Sequence, residues 1–210
     1  MIFYNLVKIL ESFFTKTNVL GLLYTRFYEN LVTKEVEEVN TNSNDFVLQI
    51  GCGAVPYTAE VIARKTGAKV IAIDNDPKMV KRATAYVARQ GIPSNIQIKY
   101  GDGMNYPLRD FDIIIISLGV RPIAPILKRI LSEANDGTRI VFREPQGFIG
   151  RSYSNMNDTV LISNAGETIK QGKLTFRKSI KIVKGVKKSN ALFIWRKAVF
   201  CSKIRLDDEN

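Results

Sequence analysis

The chain has 210 residues, enough for one domain with a sizeable core and modest extensions. Its hydrophobic share of 45% suits a globular protein, and two cysteines, Cys52 and Cys201, make no disulfide framework, so a reducing cytoplasm is expected. Histidine is absent, which removes His-based acid–base chemistry, Ser-His-Asp triads and the usual zinc or non-haem iron sites; no metal site is expected. Carboxylates, tyrosines, lysines or a reactive cofactor must carry any chemistry.

Residues 1–32 read as helical. Phe3, Leu6, Val7, Leu10 and Phe14 form one apolar stripe; Leu20, Leu23, Tyr24, Phe27, Tyr28 and Leu31 form a second, with a break at Thr15–Asn18. No uncharged run approaches a membrane span, and Glu11 interrupts what would be a signal-peptide core. Residues 1–45 are therefore expected to be a helical cap or lid over the core, with Val39–Asp45 as the linker. A membrane-surface helix is the alternative, though its few cations (Lys8, Lys16, Arg26) argue against strong binding to anionic lipid.

The core domain is assigned to residues 46–206. Phe46–Ile50 reads as a strand buried on both faces, followed by a tight turn at Gly51, Cys52 and Gly53. Pro56 suits the start of a helix, which runs from Tyr57 to Thr66. Free N–H groups and the helix dipole make this turn an anion site. A second strand, Lys69–Asp74, ends in an acid 23 residues after Gly51, an offset at which doubly wound folds receive ribose hydroxyls. The third glycine of a dinucleotide fingerprint is replaced by Pro56, so a ribose-bearing ligand without a pyrophosphate fits better.

Asp76-Pro77 caps the next helix, with Val80, Ala83 and Val87 facing the sheet and Gly91 and Pro93 stopping it. Strands follow at Ile96–Tyr100 and Phe111–Ser117. Pro122 opens a helix with Ile123, Ile126, Leu127, Ile130 and Leu131 on one face, and Asn135-Asp-Gly137 turns it into a strand over Thr138–Arg143. This alternation predicts an α/β, Rossmann-like, doubly wound and mostly parallel sheet. Residues 174–183 and 191–200 read as a closing hairpin that adds an antiparallel strand.

Charge is uneven. Residues 1–45 hold four Lys/Arg and six acids, whereas Thr168–Leu206 hold twelve Lys/Arg and no acid. The basic hairpin, 168–206, suggests an anionic partner, RNA or an anionic membrane, against the plainer reading of a solvated surface.

Ile50-Gly51-Cys52-Gly53, Ile73-Asp74, Tyr100-Gly101-Asp102-Gly103 and Phe111–Ser117 resemble, in order and spacing, the four motifs of class I S-adenosylmethionine (SAM) dependent methyltransferases. The resemblance implies a seven-stranded sheet with SAM as cofactor. By it, Gly51, Cys52 and Gly53 border the methionine part, Asp74 and Asn75 take the ribose, and Asp102, Gly103 and Met104 take the adenine. Ser117 ends the fourth strand, where such enzymes place acceptor contacts. Asp112, at the opposite edge, is read as structural. Thr58 and Tyr57, on the first helical turn, can face the SAM carboxylate; Glu144 and Tyr57 are the catalytic candidates, with an Arg143–Glu144 salt bridge as the competing reading of Glu144. Ile-Ser-Leu-Gly-Val at residues 116–120 lacks the signatures of enzymes that methylate base amino groups, and no Pro-Cys nucleophile is present.

Gly-x-Gly-x-x-Pro-x-Thr, with Arg139–Arg143 followed by Gly147, resembles nicotianamine synthases more closely. They share the fold and transfer the aminocarboxypropyl arm of SAM; their longer N-terminal helical region is a departure from this chain. The expected activity is a cytoplasmic, possibly membrane-peripheral, SAM-dependent methyltransferase with a small-molecule acceptor. Arm transfer and an RNA-binding or RNA-modifying role are the alternatives.

Overall fold

The structure, a computed structural model, describes residues 18–91, 94–145, 167–169 and 177–185, with side chains from 28 to 143 and from 179 onward. The first amphipathic stripe, the loop after residue 145, Cys201 and the 191–200 strand expected in the basic segment lie outside the described residues.

Helix α1, Asn18–Glu38, leads into β1, Phe46–Ile50, and then α2, Tyr57–Thr66. Strand β2, Lys69–Asp74, is followed by α3, Pro77–Arg89, and β3, Ile96–Tyr100. Strand β4, Ile113–Ile116, helix α4, Ile123–Glu133, and strand β5, Arg139–Pro145, complete the parallel part. Two further strands, β6 at Glu167–Ile169 and β7 at Arg177–Val183, join antiparallel. The order across the sheet is β3-β2-β1-β4-β5-β7-β6. The chain thus leaves β1 toward β2 and β3, then returns to lay β4 on its other side. Such a reversal opens a crevice beyond the carboxyl ends of β1 and β4.

Alternation along the strands separates two apolar layers. Val47, Val70, Ala72, Ile113, Ile115 and Val141 face α1, α2 and α3. Leu48, Ile50, Ile71, Ile73, Ile114, Ile116, Ile140 and Phe142 face α4, whose Ile126, Leu127 and Ile130 are buried against them. A sheet covered on both faces requires the near-continuous isoleucine and valine runs seen here.

Three boundaries differ from expectation. Helix α1 runs past residue 32 to Glu38, because Leu31, Val32, Glu35 and Val36 are all buried against the sheet. Strand β4 is shorter than Phe111–Ser117. Phe111 instead stacks on Phe46 with ring centroids 4.7 Å apart, and Asp112 Oδ2 accepts from Phe46 N–H at 2.8 Å, a structural role for this acid. Within the described residues the closing strand β7 pairs with the upstream β6, a three-residue strand too short to announce itself by alternation. The linker is fastened by Arg139, which donates to the carbonyls of Val39 and Asn40 at 2.7 and 3.0 Å and pairs with Asp45.

Candidate cofactor site

The site begins with the turn after β1. Gly51 and Gly53 have φ of +80° and +66°, left-handed values that side chains rarely adopt. Gly51 is further required by space: a Cβ there would lie 2.4 Å from Val120 Cγ2. Both Gly51 N–H and Cys52 N–H donate to the Ile73 carbonyl at 2.9 Å, which ties the turn to the end of β2. Asp74 then closes it: Oδ2 accepts from Gly53 N–H at 2.8 Å, and Oδ1 accepts from Asp76 N–H at 3.0 Å. Each carboxylate oxygen keeps a second acceptor direction for a ligand hydroxyl. Asp76 caps α3 by accepting from Lys78 N–H at 2.8 Å, and Pro77 takes the first helical position. Asn75 is exposed between the two acids.

Cys52 is buried, and its thiol is pushed up to about 12, first by burial and then by the Asp74 charge. It is a small core residue that stays protonated. Asp102 Oδ1 accepts from Met104 N–H at 2.9 Å, so one oxygen of that carboxylate is committed to its own turn. Gly101 and Gly103 are packing glycines: an added Cβ would meet Tyr106 Cδ2 at 2.6 Å and Ile50 Cγ2 at 2.9 Å, respectively. Met104 remains 41% exposed at this edge, available to cover a flat ligand.

On the other flank of Gly51, Ser117 N–H donates to the Ile50 carbonyl at 3.0 Å. Gln49 Nε2–H donates to Ser117 Oγ at 3.2 Å, while Gln49 Oε1 is buried without a partner among the described residues. Sequence reasoning passed over Gln49. Its signal was a single amide inside a strand buried on both faces.

Thr58 is placed differently from expectation. It is 1% exposed, with its hydroxyl bonded to Tyr28 Oη at 2.9 Å and accepting from Arg143 Nη1 at 3.0 Å, so it belongs to a buried cluster instead of gripping a ligand carboxylate. Arg143 itself pairs with Glu35 of α1. Nε donates to Oε1 at 2.8 Å, Nη2 to Oε2 at 2.5 Å, and both residues are buried. Ser179 of β7 donates to Glu35 Oε1 at 2.5 Å, and Arg143 Nη1 donates to Tyr28 Oη at 2.8 Å. Burial opposes the guanidinium charge, but Glu35 and Tyr28 outweigh it, and the net direction of the Arg143 pKa is upward. The acid facing Arg143 is therefore Glu35, 108 residues away, where the sequence suggested Glu144. The Glu144 side chain lies outside the described residues.

Tyr57 packs edge-on against Tyr28 with centroids 5.5 Å apart. Burial, then the Glu29 and Glu60 charges, push its phenol up to about 12, so it does not act as a general base near neutrality. Beside the loop, a cleft of about 540 Å³ is lined by Ala54, Val55, Arg82, Ala85, Tyr86 and Arg89. It is bounded by α3 and not by strand ends, so it flanks the site. Among the described residues no His/Cys/Asp/Glu group could hold a metal, and no helix is long and apolar enough to cross a membrane.

Comparison with known proteins agrees with this geometry. A family described as a methyltransferase domain matches residues 47–139. A demethylmenaquinone methyltransferase of Lactobacillus johnsonii is 32% identical over 104 residues, 48% of this chain and 42% of its own length. The chain thus spans less than half of that relative. Among solved structures, MtNAS bound to S-adenosylmethionine, a nicotianamine synthase-like protein, superposes with a TM-score of 0.67 at 17% identity, covering 76% of this chain and 62% of its own. An RNA methyltransferase of Salinibacter ruber bound to S-adenosylhomocysteine reaches 0.57 at 15% identity, over 76% and 94% of the two chains. The order of strands, the glycine turn clasped by a strand-end acid and the matched family agree: residues 47–139 form a methyltransferase domain of the class I superfamily, whose cofactor is S-adenosylmethionine.

Proposed function

We propose that the chain is a SAM-dependent transferase that methylates a small-molecule acceptor. One observation carries this reading: the Asp74 carboxylate is held by Gly53 N–H and Asp76 N–H at the crevice edge, facing the turn that a ribose would cross. Gly51, Cys52 and Gly53 offer backbone to the methionine part, Ser117 lies beyond them, and Asp102 with Met104 borders the adenine. SAM supplies the reactive methyl group. The protein's task is then to hold the acceptor in line with the S–CH3 bond, with reacting atoms roughly 3–3.5 Å apart.

Arm transfer is the second reading, favoured by the likeness to MtNAS and by Pro56 between the glycine turn and α2. Burial of the Thr58 hydroxyl removes the carboxylate contact that would have strengthened it. The basic segment 168–206 lies mostly outside the described residues, and an anionic partner there stays a proposal of lower rank. Mass spectrometry of the by-product after turnover of SAM with a metabolite extract tests the choice. S-adenosylhomocysteine is the expected product, methylthioadenosine would replace methyl transfer by arm transfer, and consumption of no SAM would reject both.

A further inference from the structure

Gln49 is 2% exposed and sits among Val47, Ile113 and Ile115, where a leucine would leave no polar atom unpaired. Its Oε1 has no partner, an arrangement that costs stability and calls for a reason. The amide's described bond is the one from Nε2–H to Ser117 Oγ. A serine hydroxyl has one proton and two lone pairs. With a lone pair taken by Gln49, the hydroxyl proton is left to donate outward, and among the described residues it meets no protein acceptor.

The position of this donor follows from the strand order. Strand β1 lies between β2 and β4, so Asp74 and Ser117 stand on opposite flanks of Gly51. Ser117 Cβ would be only 3.6 Å from a Cβ at Gly51. A ligand whose ribose is received at Asp74 and which crosses the glycine turn reaches Ser117 with its other end. In SAM that end carries an ammonium, which is a donor, and a carboxylate, which is an acceptor. A donating hydroxyl pairs with the second and repels the first.

Resting on the cofactor reading above, we propose that Ser117 donates a hydrogen bond to the carboxylate of SAM, and that Gln49 is the positioning residue that fixes the hydroxyl in this polarity. Glutamate at position 49 reverses it, because a carboxylate only accepts and draws the Ser117 proton inward.

The test is calorimetry on the full chain with two ligands, SAM and methylthioadenosine, the latter lacking the aminocarboxypropyl arm. Gln49→Glu and Ser117→Ala are each expected to weaken SAM about tenfold, the scale of one charge-assisted hydrogen bond, and to leave methylthioadenosine within about twofold. In the Ser117→Ala background, Gln49→Glu is expected to add little. Equal losses for both ligands would assign Gln49 to packing alone. Undiminished loss in the double variant would assign it to charge repulsion alone. Unchanged SAM affinity in Ser117→Ala would remove the hydrogen bond. Each of these overturns the proposal. A wild-type chain that binds methylthioadenosine but not SAM would overturn it while sparing the ribose site; one that binds neither would overturn the cofactor reading as well.

Discussion

Two polar regions lie close together in this fold and obey different physics. The glycine turn with Asp74 is a surface feature, half exposed, built mainly from backbone N–H groups and one carboxylate within 26 residues of chain. The cluster of Tyr28, Glu35, Thr58, Arg143 and Ser179 is buried and joins α1, α2, β5 and β7 across more than a hundred residues. Damage to the first should appear in binding and damage to the second in folding. Each substitution below separates those readouts.

The largest effect is expected from the buried cluster. Arg143→Ala leaves the Glu35 carboxylate in a dry site without its bidentate partner, a loss of about 3–5 kcal/mol. Chemical denaturation should show that loss, and the double variant Glu35→Leu/Arg143→Met should recover much of it, since an apolar pair of similar volume leaves no unpaired charge. A small loss in Arg143→Ala would mean that the cluster is solvated and that α1 is a movable lid.

Next come the turn glycines. Gly51→Ala meets both a left-handed φ of +80° and Val120 at 2.4 Å, whereas Gly53→Ala meets a φ of +66° with open space around it. The backbone term alone is about 1–2 kcal/mol for either. Gly51→Ala should therefore be the less stable of the two in thermal unfolding. Equal stabilities would mean that the Val120 segment yields without cost.

The smallest effect at neutral pH is expected for Cys52→Ala. The folded thiol is raised from its model value of 9.0 to about 12, first by burial, so the native state favours the protonated form. Its contribution is complete below the unfolded pKa and is lost as pH rises from about 9 toward about 12. Unfolding midpoints measured across that window should fall less steeply in Cys52→Ala than in the parent. Parallel slopes would show that Cys52 is wetter than the structure has it.

How much of this was legible in the sequence follows from the same contrast. The span from β1 to α3 was readable because each signal is local: an apolar run, two glycines, Pro56, an acid at a strand end, then Asp76-Pro77. The α1–β5 pairing was not, because Glu35 stands near Glu37 and Glu38 and nothing local marks which of them is buried. Arg143 was noticed at a strand end and given its sequence neighbour as partner, though successive strand residues face opposite sides of a sheet. Gln49 was visible as a polar interruption and was absorbed into the strand. Its meaning required the register that sets β4 beside β1.

The central claim is that the clasped acid at the end of β2 receives SAM, and Asp74→Asn tests it most directly. Asparagine keeps one acceptor oxygen and the side-chain shape but removes the charge that strengthens hydrogen bonds from ribose hydroxyls, each worth roughly 1.5–3 kcal/mol. Titration calorimetry should show SAM binding weakened about tenfold or more, with a thermal midpoint that moves far less than in Arg143→Ala. Unchanged SAM affinity in Asp74→Asn would contradict the account, because the ribose would then lie elsewhere.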